Sequence, residues 1–155
     1  MNELAPHVST FDSYPGSGAI PQATNSLIQV WNGDARQGIL EEGNSGRWKW
    51  VLGAPQTELW MDCWAISSTA KNVEAAHAFL NYVLDPENQM ANVDYIGYHT
   101  GAKGIEERAR EENFEMLDLV FFTPEQVATM KEGEINEATE RRVDIHNKLK
   151  AAASG

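Results

Sequence analysis

The sequence predicts an α/β fold with a sheet of few strands. Within residues 1–66, short apolar runs of strand length alternate with helix-start signals, and only helical patterns follow. Three strands are few for so many predicted helices, so we expect part of the sheet to lie N-terminal to this chain. The opening residues read like the tail of a helix, which adds to the expectation of a fragment.

The predicted strands follow a loop. Residues 10–25 are rich in Ser, Gly and Pro and lack both the helical and the strand period. The apolar run at 26–31 predicts a strand, and the helix-start pattern at 32–40 completes a βα unit. Alternating polar and apolar residues predict a second strand at 47–52 and a third at 59–66.

Helices are predicted throughout the second half. Asn72 is a candidate cap for a helix with an apolar stripe, and an Asp-Pro pair at Pro86 ends that helix and begins the next. A charged helix is expected at 106–113. Thr123 carries the capping-box pattern of a short helix, and a last helix is expected from about Ile135.

Composition and charge narrow the classes of partner. The 155 residues are 42% hydrophobic and carry a net charge of −11, typical of a globular domain that repels nucleic acid and anionic membranes and attracts cations. Solubility alone explains such a charge equally well. No apolar run is as long as a membrane span, and the single cysteine excludes an intrachain disulfide. Because the net negative charge repels nucleic acid, we expect no nucleic-acid partner.

The sequence offers little for catalysis or metal binding. It lacks a nucleophile elbow, a Walker loop and a dinucleotide fingerprint, and its histidines are scattered without metal-ligand spacing. Strand alternation turns Cys63 away from its neighbouring tryptophans, so we expect it to be a small buried residue. No catalytic residue, metal or cofactor is expected. One alternative stays open, because Asp34 and Asp62 could form the carboxylate pair of a glycoside hydrolase.

Two aromatic–aspartate pairs favour a site for an organic cation. On the third predicted strand, alternation places Trp60, Asp62 and Trp64 on one face. Trp31 and Asp34 lie at a strand-to-helix junction, where open α/β sheets usually bind ligands. Indole faces attract cations and carboxylates supply the counter-charge, so two such pairs suit a linear dication. The alternative that these tryptophans belong to the core stays open.

These residues resemble the C-terminal half of bacterial spermidine/putrescine-binding proteins. The similar stretches follow in family order as Val30–Ala35, Glu58–Asp62, Ala70–Asn72, Ala75–Pro86 and Ile96–Tyr98. The resemblance covers essentially residues 3–151. It implies part of a two-lobed fold like that of type II periplasmic binding proteins, with the N-terminal half lacking and the ligand held between the lobes.

The resemblance also implies roles for single residues. Trp31 and Trp60 would be aromatic walls against the methylene chain of a polyamine, and Asp34 and Asp62 would pair with its ammonium groups. Tyr98 would be a further cleft residue. Some family members lack the acid that corresponds to Asp34, so its presence favours the putrescine-type arrangement.

In the two-lobed fold that the resemblance implies, the second lobe is built from two separate stretches of the sequence. Residues 1–60 would be part of the second lobe, and 61–106 the hinge strand and helices of the first. Residues 107–151 would be C-terminal helices that return to the second lobe, and 152–155 a tail. A loose match also makes Asn136 a weak candidate for a polar ligand contact.

The implied partners are putrescine or spermidine and the membrane permease of an ABC importer. The implied location is the periplasm or the cell surface, with the signal segment outside this fragment. Self-association of the fragment stays open, as do two other functions: a receptor for another cationic or small polar solute, and a structural fragment without a ligand.

Overall fold

The computed structural model describes residues 3–53 and 55–153. The α-helices are α1 Ala19–Gln22, α2 Asn32–Glu41, α3 Val73–Val83, α4 Pro86–Ile96, α5 Ile105–Glu111, α6 Pro124–Thr129 and α7 Ala138–Ala153. Short 3-10 helices cover Ala5–His7, Pro15–Ser17 and Leu117–Leu119, and the strands are β1 Glu58–Leu59 and β2 Lys131–Glu132. The described chain is therefore mostly helical.

The predicted sheet is reduced to one parallel pair, in which β1 lies beside β2. The strands predicted at 26–31 and 47–52 are wrong, because neither segment has regular secondary structure. Of the strand predicted at 59–66, only Leu59 belongs to β1. A strand needs a neighbour for its backbone hydrogen bonds. Among the described residues these segments have no neighbouring strand, so apolar alternation alone did not produce a sheet.

The helix boundaries follow local chemistry and are largely as predicted. The Asn72 side chain accepts a hydrogen bond from the first turn of α3, and Asp85 caps α4 in the same way. Thr123 and Gln126 form the predicted capping box of α6. The last helix starts at Ala138, three residues later than expected. Side-chain caps are local signals, which explains why they could be found in the sequence.

Two clusters of buried side chains form the core. The first joins α4, α5 and the segment after the third 3-10 helix through Met90, Val93, Ile105, Ala109, Val120 and Phe121. The second packs α1 on α2 through Ile20, Ala35, Ile39 and Leu119. Leu119 and Val120 are adjacent in the chain but belong to different clusters, so this segment links the two.

Helix α3 lies outside both clusters and buries none of its residues. The apolar stripe predicted for this helix is present, but Phe79 is 53% exposed and Tyr82 is 65% exposed. Phe79 instead meets the ring of Trp64 at 5.7 Å between centroids. The expectation that Cys63 is buried is also wrong, since the residue is exposed. Without strand pairing over residues 60–66, strand alternation no longer determines which side chains are buried.

Candidate functional site

The N-terminal turn of α2 holds the first predicted acid, Asp34. An acidic side chain is favourable there, because the unpaired N–H groups of a helix N-terminus carry partial positive charge. The backbone N–H of Gly16 donates to Asp34 Oδ2 at 3.0 Å. Gly16 is buried, and a Cβ at this position would collide with Asp34 itself. The loop and the carboxylate are therefore fitted to each other.

Tyr98 approaches the same turn of α2 from another direction. Helix α4 ends at Ile96, and Gly97 turns the chain with a φ of +71°, a conformation that favours glycine. The Tyr98 ring then lies over Gly33, where an added Cβ would stand 2.8 Å from the ring. The absence of a side chain at Gly33 is what lets Tyr98 sit beside Asp34.

Four rings form a continuous aromatic row. The centroid distances are 6.4 Å for Tyr14–Trp31, 6.2 Å for Trp31–Trp60 and 5.4 Å for Trp60–Tyr98, with tilted or edge-on geometry. Trp31 is 48% exposed and Trp60 is 42% exposed. Neither tryptophan is therefore buried in the core of the described residues.

Both predicted acids act on the electrostatics of Tyr98. Burial is the main cause that raises the pKa of Tyr98, followed by the negative charge of Asp34, with smaller contributions from Asp62 and Tyr14. A hydrogen bond with the Asp34 backbone acts in the opposite direction. The phenol therefore stays protonated at neutral pH and can donate a hydrogen bond.

Neither Asp34 nor Asp62 has a basic partner in the part of the chain that the structure describes. Among the described residues, no lysine, arginine or histidine forms an ion pair with Asp34 or Asp62, and Asp62 is exposed without a hydrogen bond. Two carboxylates beside exposed aromatic faces can bind an organic cation through charge and cation–π attraction.

The structure thus brings together Trp31, Asp34, Trp60 and Tyr98, which come from α2, the segment after β1 and the turn after α4. Asp62 joins them through its charge. The Asn136 side chain caps the start of α7 by accepting from the Ala138 N–H at 3.0 Å.

Sequence reasoning missed Tyr14 and Gly16, because residues 10–25 have no periodicity to interpret. The prediction that this whole stretch is a loop is wrong, since a 3-10 helix covers Pro15–Ser17 and α1 covers Ala19–Gln22. The available signal was the aromatic residue followed by Pro-Gly, since binding residues are often carried on loops. Trp64, which alternation had placed with Trp60, contacts Phe79 of α3 instead.

Comparison with known proteins gives a consistent picture. The family model for bacterial extracellular solute-binding proteins matches residues 10–118. The chain is 32% identical over 98 residues to spermidine/putrescine-binding periplasmic protein 1 of Haemophilus influenzae, covering 63% of this chain and 26% of that protein. It is 26% identical over 129 residues to the norspermidine sensor of Vibrio cholerae, covering 81% of this chain and 35% of the sensor.

A third relative is the spermidine/putrescine-binding periplasmic protein of Salmonella typhimurium, 30% identical over 101 residues, which are 64% of this chain and 28% of that protein. The chain therefore spans about a quarter to a third of the length of these curated relatives. No solved structure matches it significantly. None of the described helices is both long and apolar enough to cross a membrane.

Proposed function

The chain belongs to the family of bacterial extracellular solute-binding proteins, and from this premise we propose that it forms part of a receptor for a linear polyamine, putrescine or spermidine. The observation that carries the proposal is the pair of carboxylates Asp34 and Asp62, which have no basic partner among the residues described, beside a row of exposed aromatic rings. The names of the relatives support the same class of ligand.

In this proposal each end of the ligand meets a carboxylate, and the methylenes between them lie along Trp31 and Trp60. A cation–π contact contributes ~0.5–2 kcal/mol and a charge-assisted hydrogen bond ~1.5–3 kcal/mol. A monoamine would leave one carboxylate without a partner, which makes the site selective for two charges. Tyr98 donates as a neutral phenol, and Tyr14 extends the row at its other end.

We propose further that the whole protein has two lobes and delivers its ligand to the permease of an ABC importer, from the periplasm or the cell surface. Residues 1–60 and 107–151 would belong to one lobe and 61–106 to the other, with Asn136 as a weak further contact. Val93 and Ile105 share one buried cluster with Ala109, so the proposed boundary at 106 runs through a hydrophobic core in which the two segments pack together. No catalytic step is proposed, since the function is binding.

Titration of the chain with putrescine, followed by calorimetry and by tryptophan fluorescence, tests the proposal. Asp62→Asn and Asp34→Asn should each weaken binding by about 10- to 150-fold, the equivalent of one charge-assisted hydrogen bond. Asp118→Asn is the matched control, because it removes the same charge from an exposed position outside the aromatic row. Wild-type affinity in both site variants would contradict the proposed roles.

A diamine-competition experiment separates this function from binding of another cation. If a monoamine of the same length binds as tightly as putrescine, only one carboxylate is engaged and the two-ended site is wrong. If putrescine displaces the monoamine with at least about tenfold preference, both carboxylates contribute.

A further inference from the structure

Arg36 is a buried cation in α2 that does not face the ligand. It lies two residues after Asp34, and only 4% of its surface is exposed. Burying a charge is costly unless hydrogen bonds compensate for the lost water. Arg36 Nε donates to the Glu115 carbonyl at 3.0 Å, Nη1 to the Asp94 carbonyl at 2.8 Å and Nη2 to Asp94 Oδ1 at 3.1 Å.

The guanidinium is also held from a third side, by the ring of Phe114 at 4.2 Å from its centroid. The planar guanidinium therefore contacts the carbonyl and the carboxylate of Asp94, the carbonyl of Glu115 and the ring of Phe114. A lysine ammonium cannot reproduce this set, because it is a single point charge on a flexible chain.

One of the residues that accept from Arg36, Asp94, is close to Tyr98 in the chain. Asp94 lies in the last turn of α4, where backbone carbonyls have no partner within the helix. Asn32, one turn before Arg36, adds to this contact by donating to the Leu119 carbonyl at 2.8 Å and to the Gly97 carbonyl at 3.4 Å. Helix α2 thus holds Asp94 before the turn and the Gly97 carbonyl at the turn that leads into Tyr98.

We propose that Arg36 is a positioning residue of the binding site, which fixes the end of α4 against α2 and so sets the position of Tyr98 relative to Asp34. The inference rests on the proposed polyamine function for its effect on affinity. Asp34 and Arg36 share one helix, so whatever holds α4 to Arg36 also holds Tyr98 to the carboxylate. The close fit of Tyr98 over Gly33 depends on the same alignment.

The test compares Arg36→Lys, which keeps the charge and loses the fork, with Arg110→Lys as the matched control. Arg110 is an exposed arginine of α5 that pairs with Glu106. Arg36→Lys should raise the dissociation constant for putrescine about tenfold, the lower end of what loss of an orienting group causes. The control should change it by less than about twofold, as expected for a surface ion pair. Circular dichroism checks that each variant is folded.

Repeating Arg36→Lys in a Tyr98→Ala background separates positioning from a general effect on the fold. If Arg36 acts through Tyr98, the substitution should have almost no further effect once the ring is absent. The same tenfold loss in both backgrounds, or no loss in either, would overturn the proposal. Arg36→Met is a second variant, which removes every hydrogen-bond donor of the side chain. If Arg36→Met does not fold, Arg36→Lys alone decides the outcome.

A second readout needs no ligand. The pKa of Tyr98 can be followed by the absorbance of tyrosinate during a pH titration. Subtracting the absorbance of the same protein with Tyr98→Phe leaves the contribution of Tyr98. In Arg36→Lys the local charge is kept, so a Tyr98 released from burial and from Asp34 should titrate closer to the ordinary value. An unchanged titration would overturn the positioning role. Absence of putrescine and spermidine binding to the whole receptor that contains this chain would refute the proposed function instead, and the titration would still decide the role of Arg36.

Discussion

Replacing Gly33 by alanine should destabilise the protein, although alanine is the better helix former. Gly33 lies in the first turn of α2, where the exchange by itself should gain up to ~1 kcal/mol. The added Cβ, however, would stand 2.8 Å from two atoms of the Tyr98 ring and closer still to the Ile96 carbonyl oxygen. Ordinary van der Waals contact begins at 3.4 Å, so the Tyr98 ring and the C-terminal end of α4 must move away from α2.

The magnitude follows from the two opposing effects. Overpacking of a fitted contact costs ~1–3 kcal/mol, and the gain in helix propensity offsets part of this cost. We expect a net loss of about 1–2 kcal/mol in the free energy of unfolding, which for a chain of this size lowers the melting temperature by about 2–8 °C. Putrescine affinity should fall as well, because Tyr98 is displaced from Asp34.

Urea unfolding followed by circular dichroism measures the effect directly. Gly101→Ala is the control, since no atom lies within 4 Å of the Cβ it would add. That variant should match wild type within about 0.5 kcal/mol. A Gly33→Ala protein as stable as wild type, or more stable, would show that the close approach of Tyr98 to α2 is not a fitted contact.

Two further predictions concern pH and the core. Burial and the charge of Asp34 raise the pKa of Tyr98 above its usual 10.0, so the unfolded chain loses this proton first. Tyr98 should not affect the free energy of unfolding below about pH 10, and this free energy should fall as pH rises towards the raised pKa. It is measured by urea unfolding at a series of pH values. An equal dependence on pH in wild type and Tyr98→Phe would contradict the prediction. Ile105→Ala should cost ~2–5 kcal/mol in the same assay, because Ile105 is 1% exposed. Ile135→Ala, at a position 98% exposed, should cost less than ~0.5 kcal/mol, and similar losses in both variants would be against the assigned core.

The parts of the fold that the sequence predicted well depend on neighbours in the chain. The caps at Asn72, Asp85 and Thr123 need only a side chain and the next few N–H groups, so their residue types identify them. Strand formation depends on a partner that can lie anywhere in the sequence. The apolar runs at 26–31 and 47–52 have the right composition for strands but no neighbouring strand among the described residues.

The candidate site divides in the same way. Spacing placed Trp31 beside Asp34 and Trp60 beside Asp62, but it carried no information on how far the two pairs lie from each other. Their meeting depends on contacts between distant segments, such as that of Tyr98 with Gly33. Tyr14 was missed for a related reason, since an irregular loop acquires its position only from what it packs against.

The arrangement around α2 limits how the site could be moved into another protein. A designer who grafts Trp31 and Asp34 on a single helix would copy the side chains but lose the Gly16 N–H that orients the carboxylate and the turn that presents Tyr98. Precise sites need their supporting contacts as much as the residues that touch the ligand. The smallest transferable unit is therefore α2 together with residues 14–17, the segment 60–62, the end of α4 with Tyr98 and the segment 115–119, so the site can be moved only with all of these segments.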